Sequence, residues 1–162
     1  AAKTLREYPV LEKDEHILIS TLLNEVDLSL FAHHTNVYID IQGYVRNPDG
    51  NFGSKKKYQV PETFKPAILK STEEELTFLD DIFINDQKER ILIVTRGSSG
   101  ATIYSKNRVF IKDINEEIFP KNTIGAGDTY FASFIVAYLK GNAIESCADF
   151  AQTSTEIFLK QK

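Results

Sequence analysis

The chain has 162 residues, of which 42% are hydrophobic, and its formal net charge at pH 7 is −4. This length and apolar content suffice for one core of ordinary domain size. Because acidic and basic residues are mixed and no basic block occurs, a nucleic-acid track and an anionic membrane surface are both disfavoured, and a small soluble ligand is the better expectation.

The sequence also bears on the cellular compartment of the protein. No run approaches the roughly 18 apolar residues of a membrane span, and the first residues lack the apolar core of a signal peptide. Cys147 is the only cysteine, so an internal disulfide and a multi-thiolate metal site are excluded. We interpret it as a small buried residue and expect a reducing, cytoplasmic location.

The first third of the chain has the following predicted elements. Residues 16–31 carry apolar side chains at loose helical spacing, which predicts a helix or two short helical pieces. Residues 37–41 are β-branched and aromatic and run into Gly43, so they are predicted to form a buried strand that ends in a turn. Residues 46–57 are rich in turn-forming types and predict a surface loop that ends in three solvated lysines.

Two further strands and a helix are predicted downstream. Residues 66–70 form a short strand, followed by a helix that Ser71 or Thr72 can cap. Three glutamates then occupy the positive first turn of this helix, which is predicted to continue to Phe83. Residues 90–95 are an uninterrupted apolar run, which is typical of a strand covered on both faces of a parallel sheet.

The last part of the chain predicts a hairpin and two helices. Residues 101–104 and 108–111 have strand composition and flank a three-residue loop. From Asp128 apolar positions follow helical spacing as far as Gly141, which suits a C-terminal cap. A final helix over residues 144–159 is predicted to bury Cys147, Ala148, Ala151 and Phe158. This order of elements is typical of an α/β protein.

One segment suits phosphate chemistry, the glycine-rich turn Asn122-Thr123-Ile124-Gly125-Ala126-Gly127-Asp128-Thr129. Small residues let backbone approach a ligand, and unpaired N–H groups at a helix start bind phosphate or a developing anion. The carboxylate of Asp128 can accept a proton from a substrate hydroxyl as it attacks a terminal phosphate. An ordinary helix N-terminus stays open on these residues alone.

This turn resembles the second signature of the PfkB, or ribokinase-like, family, which has the form Asp-Thr-x-Gly-Ala-Gly-Asp-x-Phe. The chain departs from it at Asn122, where the family has an acid, and at Tyr130, with Phe131 following at once. The resemblance implies a ribokinase-like α/β fold, with a mostly parallel central sheet flanked by helices and a β-hairpin near the nucleotide site.

The resemblance also implies roles for residues of the turn. Asp128 would be the catalytic base, and the anion hole would be formed by Gly125, Ala126 and Gly127. The nucleotide would be contacted by Thr123, Gly125 and Gly127.

Residues 93–101 resemble the strand and glycine-containing turn that lie at the family's nucleotide site. This similarity implies nucleotide contacts for Thr95 and Gly97. A buried strand end and a tight turn are the structural alternative for the two residues.

The segment of residues 70–76 falls where the family has Asn-x-x-Glu, a motif tied to magnesium and phosphate. The best match is Thr72 for Asn and Glu75 for Glu, which makes Glu75 the candidate metal residue. Because the Asn is missing and a glutamate at a helix start is favoured by the dipole, a structural role for Glu75 stays open.

Residues 38–46 are similar to an Asp-x-Gln-Gly-hydrophobic-x-Arg strand and turn of the inositol-kinase-like branch of the family. Structural roles are the alternative, with Asp40 accepting from backbone at a strand end and Arg46 pairing at the surface. Gln42 is open to either interpretation.

The resemblance runs from about Ile17 to the C-terminus and implies ATP- and Mg²⁺-dependent phosphoryl transfer to a sugar, polyol or nucleoside. Family members are about twice as long, so residues 1–162 are interpreted as a single C-terminal nucleotide-binding portion that lacks the N-terminal half and lid. We expect such a portion to be inactive alone and to associate with itself or with the other half. A non-catalytic nucleotide-binding or assembly module and an unrelated anion-binding α/β protein stay open.

Overall fold

The computed structural model describes residues 10–12, 14–49, 53–114, 118 and 120–162. In this part of the chain six strands form one sheet, and their order in the sheet is their order in the chain. The first four strands are parallel, whereas the last two are antiparallel to their neighbours. The strands are β1 (Ile17–Ser20), β2 (Val37–Asp40), β3 (Ile68–Thr72), β4 (Ile91–Thr95), β5 (Ala101–Ser105) and β6 (Arg108–Lys112).

Helices flank this sheet, which divides the core into two layers. The α-helices among the described residues are α1 (Gln42–Val45), α2 (Glu73–Leu76), α3 (Asp81–Glu89), α4 (Ala126–Leu139) and α5 (Ile144–Lys160). The side of the sheet that carries Leu69 and Leu92 packs near α2 and α3, whereas the side that carries Ile68 and Ile93 packs against α4 and α5. The predicted α/β arrangement, with a mostly parallel sheet flanked by helices and a hairpin, is therefore confirmed.

The apolar strand and the last helix agree with their predictions. Residues 91–94 are all buried, as expected for a strand covered on both faces. Cys147 is fully buried in α5, and burial raises the pKa of its thiol. Phe158 is an exception to the predicted burial, since it is only partly buried and lies near the end of α5, with its ring close to Gly125. Gly141 has φ +79° just after α4, as a C-terminal cap requires.

The helical prediction for residues 16–31 is wrong. Residues 17–20 are strand β1, because they pair in parallel with β2, and Ile19 turns into the core while Leu18 faces outward. Only Leu28–Phe31 is helical, as a 3-10 turn whose start is capped by Asp27. A four-residue strand offers too short an alternation to outweigh a chance helical spacing.

The predicted long helix after β3 is two helices. The first ends at Leu76, and a second begins after Asp80, whose carboxylate accepts from Ile82 N–H at 2.8 Å. The interruption is stabilised by the preceding loop, since Tyr58 N–H donates to Phe78 O at 3.0 Å. The cap at Asp80 therefore starts a new helix where the sequence predicts a continuous one.

Two smaller predictions also fail. The hairpin loop has two residues, because Ser105 pairs with Arg108, and Lys106 and Asn107 both have positive φ, as in a type I′ turn. The lysines of residues 55–57 are not simply solvated. Lys55 Nζ lies 2.7 Å from a Glu74 carboxylate oxygen, and the ammonium of Lys57 donates to the carbonyl of Thr77 at 3.0 Å.

The described part of the chain contains no helix with the length and apolar content that a bilayer crossing needs.

Candidate phosphate-binding site

The carboxyl ends of the parallel strands bring polar side chains to one edge of the sheet. In the register of the sheet, Asp40 of β2 is opposite Lys70 of β3, and Thr72 of β3 is opposite Thr95 of β4. Since side chains alternate along a strand, Asp40, Lys70 and Thr95 share the face that packs against α4. This is the edge at which open α/β sheets bind ligands.

A tight turn leads into α4 at this edge. The carbonyl of the Asn122 side chain accepts from Ile124 N–H at 2.8 Å, and the backbone carbonyl of Thr123 accepts from Ala126 N–H at 3.1 Å. Gly125 then adopts φ +89°, and a Cβ there would lie 3.2 Å from Phe158 Cζ, so both conformation and space favour glycine. An aspartate in place of Asn122 would offer the same acceptor, which explains why this departure from the PfkB signature leaves the turn intact.

The turn leaves hydrogen-bond donors at the start of α4. Ala126 N–H is used within the turn, whereas Gly127 N–H and Asp128 N–H have no assigned acceptor among the described residues. Asp128 is exposed at the third position of the helix, and its carboxylate has no hydrogen-bond partner within the same described ranges. The first turn of this 14-residue helix therefore carries two N–H donors, at its positive end, and the exposed carboxylate of Asp128.

A buried ion pair lies directly behind this helix start. Lys70 Nζ is 2.6 Å from Asp40 Oδ2, and both side chains are only 4% exposed. A Cβ on Gly127 would lie 3.0 Å from Lys70 Nζ, so the ammonium is in close contact with the backbone of α4. Asp40 also accepts from Gln42 N–H at 3.1 Å, which confirms its predicted backbone contact.

Sequence reasoning missed Lys70 as a residue of this site. The available signal was a lysine inside a short buried strand, between Leu69 and Ser71. A charged residue in such a strand requires a partner, but the sequence does not say which one.

Thr95 and Gly97 lie at the same edge of the sheet, where β4 ends. The hydroxyl of Thr95 donates to the carbonyl of Ser71 at 3.3 Å, which ties the ends of β3 and β4 together. Gly97 is exposed, has φ +56° and begins a 3-10 turn. Both residues thus have the structural roles that the sequence offered as an alternative, and their nucleotide contacts stay a prediction.

Glu75 is one half of a capping box at the start of α2. Its Oε2 accepts from Thr72 N–H at 2.9 Å, and Glu75 N–H donates to the Thr72 hydroxyl at 3.2 Å. The side chain is buried, and no group of three or more metal-binding side chains occurs among the described residues. Glu75 by itself could supply one carboxylate to an Mg²⁺ ion, whose other ligands would have to come from phosphate oxygens or water.

A cleft of about 760 Å³ lies at the opposite edge of the sheet. It is lined by residues such as Ala67, Ile91 and Ser105, which stand at the amino ends of β3 and β4 and at the hairpin turn. The glycine-rich turn is not part of this cleft, so its volume says nothing about the phosphate site.

Sequence comparison identifies relatives of the chain. The sequence pattern of the pfkB family carbohydrate kinases matches residues 3–162. A nucleoside kinase of Methanocaldococcus jannaschii is 35% identical over 81 residues, which are 49% of this chain and 27% of that protein. A ribokinase of Arabidopsis thaliana is 32% identical over 75 residues, or 44% of this chain and 19% of that protein.

Solved structures with the same fold include a pyrophosphate-dependent kinase in the ribokinase family, complexed with a pyrophosphate analogue and myo-inositol. It has a TM-score of 0.73 and 19% identity, and the similarity covers 93% of this chain and 60% of that chain. Arabidopsis thaliana ribokinase, complexed with ribose and ATP, has a TM-score of 0.63 and 21% identity, covering 85% of this chain and 48% of that chain.

This chain therefore spans about half the length of the solved structures that it matches. At these identities the structural likeness shows the fold alone. The family assignment depends instead on the sequence pattern, which extends over nearly all of the residues and includes the glycine-rich turn described above. The chain belongs to the pfkB family of carbohydrate kinases.

Proposed function

We propose that this chain forms the phosphate-donor site of a small-molecule kinase, which transfers a phosphoryl group to a hydroxyl of a sugar, polyol or nucleoside. The observation that carries the proposal is the start of α4, where the N–H groups of Gly127 and Asp128 and the exposed carboxylate of Asp128 lie together. These are the groups that an anionic donor and a hydroxyl acceptor require.

In this mechanism Asp128 accepts the proton of the acceptor hydroxyl as its oxygen attacks the terminal phosphorus of the donor. A new O–P bond forms, the bond to the leaving phosphate breaks, and its electron pair departs with the leaving group. The two N–H groups and the helix dipole stabilise negative charge on the transferring phosphoryl oxygens.

The remaining candidates would assist donor binding. Thr95, Gly97, Thr123 and Gly125 are proposed to contact or shape the site for ATP, and Ala126 contributes through the hydrogen bond that sets the turn. A bound Mg²⁺ ion would offset the charge of the phosphates, with Glu75 as the proposed protein carboxylate.

The relatives define which donors and acceptors to test. Their names and complexes include ATP and a pyrophosphate analogue as donor-side molecules, and ribose and myo-inositol as small alcohols; other relatives are named nucleoside kinases. We propose ATP as the donor, with pyrophosphate as the alternative, because both present terminal phosphate groups to the same N–H donors.

The first test is donor binding, measured by calorimetry with Mg-ATP and separately with pyrophosphate. Gly127→Asp should abolish binding, because it adds a negative charge and a side chain at the anion site. Gly53→Asp is the matched control, since it adds the same charge where a Cβ meets nothing within 4 Å. If the parent chain is folded and binds neither donor, the proposal is wrong.

The second test concerns Asp128 and uses transfer to ribose, myo-inositol and nucleosides. Asp128→Asn should lower the transfer rate by about 10²- to 10⁴-fold while donor affinity stays within a few-fold of the parent, because the amide cannot accept the proton. If donor binds but no acceptor is phosphorylated, either by the parent chain alone or by its complex with the N-terminal half that the resemblance implies, a non-catalytic nucleotide-binding module is the better description.

A further inference from the structure

We propose that Lys70 is a positioning residue of the donor site. Its ammonium, held by Asp40, supplies a buried positive charge behind Gly127 and strengthens the binding of the donor's phosphate groups. This inference rests on the proposed function of the turn that precedes α4.

The position of the ammonium is fixed from two strands. Lys70 and Asp40 are opposite each other in the parallel register of β2 and β3, and the backbone carbonyl of Lys70 accepts from Ile41 N–H at 3.1 Å. Their side chains meet at 2.6 Å with 4% exposure each. A lysine held in this way loses little further conformational entropy when a ligand arrives.

The contact with α4 places this charge where a phosphate would bind. A Cβ on Gly127 would lie 3.0 Å from Lys70 Nζ and 3.6 Å from Lys70 Cε, so a methyl group is excluded between them unless the lysine shifts. Gly127 is the second residue of α4, and its N–H has no assigned acceptor in the described part of the chain.

The positive end of the α4 dipole and the Lys70 ammonium are therefore close together in a buried environment. The start of α4 carries the positive end of the helix dipole, and the Lys70 ammonium adds a full charge beside it. Removing an ion pair from water is costly, and the Lys70 ammonium lies beside the helix end even though it is paired with Asp40. An anion at the turn would interact favourably with both the ammonium and the helix end. This interaction would offset the cost of burying the ion pair there.

The proposal predicts opposite effects for the two partners. If the pair only supports the fold, removal of either charge disturbs the same contact and changes donor affinity in the same direction. If Lys70 acts on the bound anion, removal of its charge weakens binding, whereas removal of the Asp40 charge leaves the cation less neutralised and strengthens binding.

The experiment measures the affinity for Mg-ATP and for pyrophosphate by calorimetry, with thermal unfolding recorded for every variant. Lys70→Met should weaken binding about tenfold, and Asp40→Asn should strengthen it about threefold, both at low salt. Lys140→Met is the matched control, because it removes the same charge from an exposed position at the far end of α4 and should leave affinity unchanged.

A double variant covers the case in which a single substitution prevents folding. Asp40→Asn combined with Lys70→Met leaves no unpaired buried charge and should fold. It should bind more weakly than the parent, since the lost cation is the charge that touches Gly127. Parent-like affinity in the folded double variant, or shifts of the same sign in both single variants, would overturn the role of Lys70.

Failure of this inference is distinguishable from failure of the proposed function. A parent chain that binds a donor, with Lys70 and Asp40 variants that bind equally well, overturns the inference and leaves the donor site in place. A folded parent chain that binds neither probe overturns both.

Discussion

Two neighbouring glycines show how much the surroundings of a residue matter in this chain. Gly97 begins the 3-10 turn after β4 and Gly100 follows it, and both have positive φ, at +56° and +85°. A Cβ on Gly97 would meet nothing within 4 Å, whereas one on Gly100 would lie 2.0 Å from the backbone carbonyl oxygen of Lys112. The hairpin thus closes directly onto Gly100, and the same substitution has different consequences at the two positions.

We expect Gly100→Ala to lower the free energy of unfolding by about 3 kcal/mol or more, because backbone must move to admit the methyl group. Gly97→Ala should cost only about 1–2 kcal/mol, which is the penalty for a left-handed alanine. Chemical denaturation of the two variants measures the difference. Equal losses would mean that the hairpin does not approach Gly100 as closely as described.

At the level of elements, the junction of β3 and α2 combines a structural role with a proposed functional one. Thr72 ends β3 and caps α2, and Glu75 completes the capping box with a buried carboxylate. A carboxamide preserves the oxygen that accepts from Thr72 N–H but removes the charge that attracts a cation. The two roles of Glu75 can therefore be separated by substitution.

Thr72→Ala should reduce the free energy of unfolding by about 1 kcal/mol, since it removes the acceptor for Glu75 N–H. Glu75→Gln should leave stability within about 0.5 kcal/mol of the parent, because the cap is retained. If Glu75 assists Mg²⁺, the same variant should need severalfold more Mg²⁺ for half-maximal ATP binding in a calorimetric titration. An unchanged Mg²⁺ requirement would restrict Glu75 to the cap.

At the level of the whole molecule, the two layers of the core differ in how they are closed. One layer is covered by the long helices α4 and α5, whereas the other is closed partly by loops that meet at Tyr58. The centroid of the Tyr58 ring lies 5.2 Å from that of the Tyr44 ring, and the backbone N–H of Tyr58 donates to Phe78 O. Burial, with a smaller effect from the negative charge of Asp27, raises the pKa of Tyr58 from 10.0 to about 12.

This pKa shift makes the stability of the core layer that contains Tyr58 sensitive to high pH. The folded state holds Tyr58 neutral to higher pH than the unfolded chain does, so its stabilising contribution is complete below about pH 10 and is lost as the pH rises toward about 12. The free energy of unfolding of the parent should therefore fall relative to that of Tyr58→Phe across this interval. A difference between the two that does not vary with pH would show that Tyr58 ionises as it does in the unfolded chain.

Local features of the fold could be predicted from the sequence alone. The cap at Thr72, the glycine turn before α4, the stop at Gly141 and the apolar strand over residues 91–94 all follow from preferences of a few neighbouring residues. Backbone conformation in such segments depends on side-chain shape and on nearby donors and acceptors, which the sequence displays directly. The family resemblance carried by the turn is likewise a local property, and the pattern match over residues 3–162 confirms it.

Only the tertiary structure decided the features that join distant parts of the chain. Residues 17–20 are a strand because β2 lies beside them, and Lys70 is held behind the start of α4 because parallel register places it against Asp40, 30 positions earlier. The same packing sets Gly127 against the Lys70 ammonium. Sequence by itself determined which local conformations and chemical groups were available. Which groups meet was decided by strand pairing and helix packing, because those contacts gain their free energy from burial and register across segments that are not neighbours in the chain.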